Sequence, residues 1–502
     1  MTKKHADLYP TRAENYPEWY QQVIKNADLA EVAPVRGCMV IKPWGYGIWE
    51  NIQRMLDLRL KATGHVNAYF PLLIPQSLLK KEAEHVQGFA KECAVVTHSR
   101  LEEKDGDLIP TDELEEPLII RPTSEAVIGS VYSGWIHSYR DLPLLVNQWA
   151  NVIRWERRTR LFLRTTEFLW QEGHTCHATK AEAIQETLMI LDLYVNFAKD
   201  CLAMPVIKGI KTPGERFPGA LETYSIEAMM QDRKALQAGT SHFLGQNFAK
   251  AAEIKFLDRE GLEQYVWTTS WGVSTRLVGA LIMTHSDDYG LVLPPPLAPR
   301  HIVLLPLWRE EQQKEGVLSY CKQLADRLRQ RFYEGEPIRV TLDEGEIKSS
   351  RHWEFIKKGV PLVVEVGSHE VNNHTVCIRR RDCPPQEKVF LHRDEFTERA
   401  PHLLCKIHES LYQKALAFQE KHTHFIHTHS EFQDFFTPIS EGSELHGGFA
   451  LAYAADDATT QAILEERKIT ARCIPLSSEH ETGRCIFTGK PNARKILFAK
   501  AY

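Results

Sequence analysis

The sequence predicts an α+β domain with an antiparallel sheet and flanking helices, then an α/β domain, then a small α+β domain at the C-terminus. Three observations carry this. In the first 293 residues the strand-like runs are separated by long, irregular insertions, which a regular βαβ array does not have. Leu293-Pro-Pro-Pro-Leu-Ala-Pro299 is a stiff connector that continues neither a helix nor a central strand. Beyond it, short apolar runs alternate with helical patterns, as in a parallel core. The expected divisions are residues 1–293, 300–410 and 411–502.

Within the first division, Ile48, Ile52, Leu56 and Leu60 step at helical spacing, and Gly64 is placed to end that helix. Tyr69-Phe-Pro-Leu-Leu-Ile-Pro75 reads as an edge strand interrupted by two prolines. Leu118-Ile-Ile120 and Gln148-Trp-Ala-Asn-Val-Ile153 read as buried strands. Thr179-Lys-Ala-Glu182 is a capping box that opens a helix through Ile184, Leu188, Leu191 and Val195. In the second division, His301-Ile-Val-Leu-Leu-Pro306 is a buried strand followed by a long amphipathic helix. Ile338-Arg-Val-Thr-Leu342, a helix near 351–358 and Pro361-Leu-Val-Val-Glu-Val-Gly367 complete it. A helical stretch rich in His, Phe and Lys then leads into the last division.

Composition narrows the class. At 502 residues, roughly three domains are expected. A net charge of −5 and a pI near 6.5 give no global nucleic-acid signature, so any such contact must come from local basic patches. Ten scattered cysteines suggest reduced thiols rather than a disulfide framework. No apolar run suits a leader peptide or a membrane span, and a cytoplasmic location is expected.

The chemistry concentrates in Arg154-Trp-Glu156, an arginine-rich loop, and Arg164-Thr-Thr-Glu-Phe-Leu-Trp-Gln-Glu172. Two arginines at the ends of a hairpin can converge on a polyphosphate with planar forks that Lys lacks. Phe168 offers a face to a purine. A solvated basic hairpin is the competing reading. In Arg121-Pro-Thr-Ser-Glu125, Thr123 and Glu125 follow a strand and suit an ammonium group, or else mark a helix start. Gln171-Glu-Gly-His174-Thr-Cys-His177 has metal-ligand residue types, but no third ligand is evident, so pocket lining is favoured and no metal is assigned. Ser270-Trp-Gly272 permits close backbone approach to a ligand, and Arg276 opens an apolar helix, which suits an arginine that faces an anion.

Taken with Asn147-Gln148, Phe162-Leu-Arg164, Gly239-Thr-Ser-His242, Thr284-His285 and Gly290-Leu-Val-Leu-Pro294, these segments make the chain similar to the class II aminoacyl-tRNA synthetases. Among them it most resembles the prolyl-tRNA synthetases of archaeal/eukaryotic type, from about residue 10 to Tyr502. The resemblance implies ATP-dependent formation of prolyl-adenylate and transfer of proline to tRNA(Pro). For ATP it implies roles for Arg154, Glu156, Arg164, Thr165, Phe168, Gln237, Thr240 and Arg276, with Arg154 and Arg276 catalytic. For L-proline it implies Thr123, Glu125, Arg154, Trp170, Glu172, His174, His242, Ser270 and Gly272. It also implies Mg²⁺ with ATP, anticodon binding by 300–410, and a homodimer built on the helix near 45–64.

Two departures stand out. The family's C-terminal zinc site uses four cysteines, whereas here Tyr453–Thr460 has none and Cys485-Ile-Phe-Thr488 keeps one, so no structural zinc is expected. Gly367-Ser-His-Glu370 departs from the anticodon-domain pattern, leaving Lys348, Arg351, Lys357, Lys358 and Arg379-Arg-Arg381 as local candidates for RNA contact. No inserted editing domain separates the hairpin from the Arg276 segment. Two other functions compete with this one, a ligase for another small amino acid such as threonine or serine and a silent tRNA-binding or regulatory module. The intact arginines 154, 164 and 276 argue against the silent module, and Thr123/Glu125 with Trp170 and His174 argue against the other ligases.

Overall fold

In the computed structural model, residues 8–85, 93–345, 351–438 and 447–502 are described. Their largest sheet has twelve strands. Its N-terminal half runs, neighbour by neighbour, Val66–Asn67, Leu144–Ile153, Glu167–His177, Trp267–Ser274, Ala235–Gly245, Glu222–Met229 and Val206–Ile210. Apart from the short first strand, which is parallel to the second, every pairing in this half is antiparallel. The helix Lys180–Asp200 covers the back with buried Ile190, Leu191, Tyr194 and Phe197, and the capping box of Thr179 and Glu182 closes at its start. The helix Pro43–Ala62 buries Ile48, Ile52, Leu56 and Leu60 and stops at Thr63 and Gly64, the glycine taking φ 93°.

The buried strand expected at 118–120 is the foot of a much longer hairpin, Ala94–Lys104 with Asp107–Ile120. Ile119 is buried where the hairpin meets Leu73–Pro75, while most of the rest stands in solvent.

The second core has Ile302–Pro306 at its centre, parallel to Val340–Leu342 and Leu362–Val366, with Thr375–Arg380 and Val389–His392 added antiparallel at one edge. Helices Glu311–Arg329 and Arg393–Lys421 pack on it, and the second of these passes through residue 410 without interruption. Most of the basic residues read as candidates for RNA contact are tied up inside this unit. Arg379 is buried and donates to Pro385 O and Glu365, and Arg380 pairs with Asp382. Arg381, also buried, forks onto Asp287 at 2.6 and 2.8 Å. Arg351 pairs with Asp343. Charge runs in sequence do not reveal partners supplied from elsewhere, here acids up to 94 residues away. Lys348 lies outside the described residues.

The last strands, Thr423–Phe425, Phe449–Ala454, Thr470–Pro475 and Ala493–Ala499, extend the twelve-stranded sheet itself. Ile474 pairs with Ile210 and Pro475 with Gly209. Gly209 is required there, because a Cβ would lie 2.6 Å from both Cys473 Sγ and Ile474 O.

Candidate active site

Strand alternation builds the floor of a cleft on this sheet. On Glu167–His177, residues two apart share a face, so Phe168, Trp170, Glu172 and His174 all line it. Register then sets Ser270 opposite His174 and Gly272 opposite Glu172 on one neighbouring strand. On the next, His242 lies opposite Ser270 and Thr240 opposite Gly272. A bulge leaves Ala238 unpaired between Gln237 and Gly239, which brings Gln237 and Thr240, three apart in sequence, into the same cleft.

Thr123 and Glu125 enter from the turn that links the long hairpin to the helix Glu125–Trp135. Arg121 anchors this turn: it is fully buried and donates to the carbonyls of Phe70 and Asn151 at 2.7 Å each. Thr123 donates its hydroxyl to Glu125. Glu172 is fully buried and accepts from Ser124, from Gln148 at 2.6 Å and from His174 at 3.1 Å. Burial alone would raise the Glu172 pKa, but these donors outweigh it and hold the carboxyl below its ordinary value. Burial would likewise lower His174, and Glu172 with Glu125 outweighs it and raises the imidazole. The two shifts agree on an ionised pair. His242 is the reverse case. Burial, and then the charges of His174 and Lys211, push it down to about 3, so it is neutral and shares a 3.0 Å hydrogen bond with Thr223.

The other end of the cleft is cationic. Arg154 donates to Pro122 O at 2.8 Å, and its guanidinium lies 5.6 Å from the Phe168 ring centre and 5.4 Å from that of Trp170. Arg276 opens the helix Arg276–His285 and donates to Leu163 O at 3.2 Å. Burial, and then the charges of Arg164 and Arg154, lower it to about 10. Arg276 thus lies within the fields of two further guanidinium groups, and cations gathered this way suit a polyanion.

Thirteen of the residues expected at the site line this one cleft: Thr123, Glu125, Arg154, Phe168, Trp170, Glu172, His174, Gln237, Thr240, His242, Ser270, Gly272 and Arg276. Three are not among its lining residues. Glu156 accepts from Arg158 N at 2.9 Å, Arg164 is exposed, and Thr165 is buried with its hydroxyl on Glu167 O at 2.7 Å. The hydroxyl of Ser270 and the indole N–H of Trp170 are buried without a partner, which leaves both open to a ligand. Sequence reading gave no role to Ser124 and Gln148, which hold Glu172, or to Lys211, Phe217 and Thr223 on the wall. The available signal was a lone lysine before the Pro- and Gly-rich Thr212–Gly219. Sequence also found no third ligand for a metal beside Glu172 and His174. Glu125 supplies one, and among the described residues these three place ligand atoms within 4.8 Å of one another.

Comparison with known proteins shows which family the chain resembles over its length. The model of the tRNA synthetase class II core domain (G, H, P, S and T) matches residues 105–285, and the anticodon binding domain matches 301–400. The prolyl-tRNA synthetase C-terminal model matches 444–502. Proline–tRNA ligase 2 of Anaeromyxobacter dehalogenans is 56% identical across 99% of this chain and 98% of its own. The proline–tRNA ligase of Bdellovibrio bacteriovorus is also 56% identical, across 99% of each. The crystal structure of prolyl-tRNA synthetase from Cryptosporidium parvum, complexed with L-proline and AMP, superposes with a TM-score of 0.88 at 33% identity, covering 99% of this chain and 98% of that one.

Proposed function

The chain belongs to the prolyl-tRNA synthetase family of class II enzymes, and from that premise we propose how its cleft divides the reaction. The activity is that of a proline–tRNA ligase: ATP activates L-proline, pyrophosphate leaves, and the prolyl group passes from the adenylate to the 3′ end of tRNA(Pro). The observation that carries the division of labour is Arg154, held over Phe168 and Trp170 where the acidic and cationic ends of the cleft meet.

A proline carboxylate oxygen attacks the α-phosphorus, a P–O bond forms, and the bond to the β-phosphate breaks. Two anions must approach, so fixed cations and in-line placement do the work and no covalent nucleophile is needed. Arg154 bridges the carboxylate and the α-phosphate, and Arg164 and Arg276 take the distal phosphates. Phe168, seated by Thr165, supports the adenine, and Glu156 accepts from its amine. Gln237 and Thr240 hold the ribose. At the other end Thr123 and Glu125 hold the secondary ammonium. Trp170, Glu172, His174, His242, Ser270 and Gly272 shape the ring pocket, with the unpartnered Ser270 hydroxyl and Trp170 N–H available to the substrate.

Mg²⁺ would accompany ATP and offset the charge of its phosphates. Glu125 and Glu172 belong to the ammonium end, so Glu215, exposed on the cleft loop, is the lining carboxylate that would join it. The same assignment favours an ammonium over a metal at Glu125, Glu172 and His174. We further propose that 1–293, 300–410 and 411–502 act as catalytic, anticodon-binding and accessory segments of a cytoplasmic homodimer. Exposed Leu58, Val66 and Tyr69 would contribute to the dimer face.

Proline-dependent exchange of pyrophosphate into ATP tests the assignment with a panel of amino acids. Proline should support exchange, and Arg154→Ala should lower it by about 10³-fold or more. Exchange supported by another amino acid and not by proline would overturn the substrate.

A further inference from the structure

One wall of the cleft ends in a charge network that the roles above do not use. Lys211 follows the strand Val206–Ile210, lines the cleft and is 4% exposed. Its Nζ donates to Glu227 Oε1 at 2.8 Å, and the same oxygen accepts from Ser225 at 2.8 Å. Glu227 is wholly buried. Its other oxygen accepts from Nε and Nη2 of Arg472, at 3.0 and 2.8 Å, and Arg472 Nη1 donates to Thr470 at 3.0 Å.

Arg472 comes from the last segment, 245 residues further along the chain than Glu227. It arrives because Thr470–Pro475 pairs directly with Val206–Ile210, the strand that precedes Lys211. Glu227 sits opposite Gln237, at the bulge that turns Gln237 into the cleft. Two buried cations on one buried carboxylate leave a net positive charge beside the phosphate end. Arg276 senses both partners, repelled by Arg472 and attracted by Glu227.

Stability alone is a weak reason for such a network, since well-packed apolar side chains often do as well or better than buried ion pairs. We propose that Arg472 is a positioning residue for the ATP half of the site: by occupying Glu227, opposite Gln237, it keeps that carboxylate from drawing on Arg276, so the C-terminal segment completes the catalytic cleft. The inference rests on the ATP assignment made above. Without Arg472, one oxygen of a buried carboxylate loses its cation, and its charge, already felt at Arg276, draws that arginine away from ATP.

The test uses the full-length chain in the pyrophosphate exchange assay, titrating ATP at saturating proline and proline at saturating ATP. Arg472→Met should raise the KM for ATP by about tenfold and leave that for proline within about twofold. Arg472→Lys should fall between the two. The double variant Arg472→Met with Glu227→Gln removes the orphaned charge and should lie closer to wild type than Arg472→Met alone. If Arg472→Met does not fold, the same KM split is read from Arg472→Lys. Active wild type with both KM values rising together, or a double variant no better than the single, overturns this inference alone. Wild type without proline-dependent exchange overturns the functional reading and takes the inference with it.

Discussion

At the scale of single residues, the pair Glu172 and His174 is where electrostatics makes a prediction with a definite sign. Glu172 is held below its ordinary pKa, so its contribution to stability is present above the unfolded value near 4.5 and is lost as pH falls through the folded one. His174 is raised, so its contribution is complete below 6.5 and is lost as pH rises through the folded pKa. The thermal stability of wild type relative to His174→Gln should therefore be greatest between those limits and shrink on the alkaline side; a difference that is flat or grows from pH 6 to 9 would contradict the pair. Arg154→Lys keeps a charge but not the planar fork, and the exchange rate should fall by about 10². Much at this scale was legible in sequence. Residues two apart on a strand share a face, so Phe168, Trp170, Glu172 and His174 could be placed together before the fold was seen. The partners of Glu172 could not, because Ser124 and Gln148 lie 48 and 24 residues away and meet it only through sheet register.

At the scale of elements, glycines show how strictly the cleft floor is built. A Cβ on Gly173 would come within 2.1 Å of the Trp271 ring, which fills the opposite face of the strand that carries Glu172 and His174. Gly173→Ala should destabilise the protein by about 1–3 kcal/mol in urea unfolding and raise the KM for proline, since the strand must shift to admit the methyl group. Gly106, at the tip of the exposed hairpin, has nothing within 4 Å but takes φ 86°. Gly106→Ala should cost about 1 kcal/mol from backbone strain and leave exchange unchanged. An equal loss of activity in both variants would mean that the Gly173 contact is not what shapes the site. The hairpin itself was missed because its strands are charged on both faces and leave no apolar alternation to follow. Its turn was nevertheless legible: Asp105-Gly106, with φ of 56° and 86°, is a two-residue hairpin signal. The helices were easier, since apolar spacing and the Thr179 capping box are local and need no distant partner.

At the scale of the molecule, the proline-rich connector was visible in sequence, but the continuity of the sheet was not. Ile474 pairs with Ile210, 264 positions earlier in the chain, and no local pattern encodes such a pairing. That continuity makes the last segment part of the catalytic fold. Removing residues 422–502 would strip the strand Val206–Ile210 of its neighbour and leave Glu227 with one cation instead of two, so the truncated chain should aggregate or unfold without cooperativity. The same segment bears on zinc. Its core is apolar, with Phe432, Phe436, Ile496 and Phe498 buried together, and Cys473 packs separately against Gly209. Cys485 Sγ accepts backbone N–H groups from Ala455 at 3.3 Å and Thr488 at 3.4 Å; burial would raise its pKa, but the Thr488 side chain and then these backbone donors outweigh it and hold it down. Hydrogen bonds thus stabilise a sulfur that a closed zinc site would need three further ligands to use. Dialysis of the purified protein against a chelator should leave the melting temperature and the exchange rate with added Mg²⁺ unchanged, and metal analysis should find zinc well below one equivalent. Stoichiometric zinc whose removal lowers the melting temperature would show that this segment still folds around a metal.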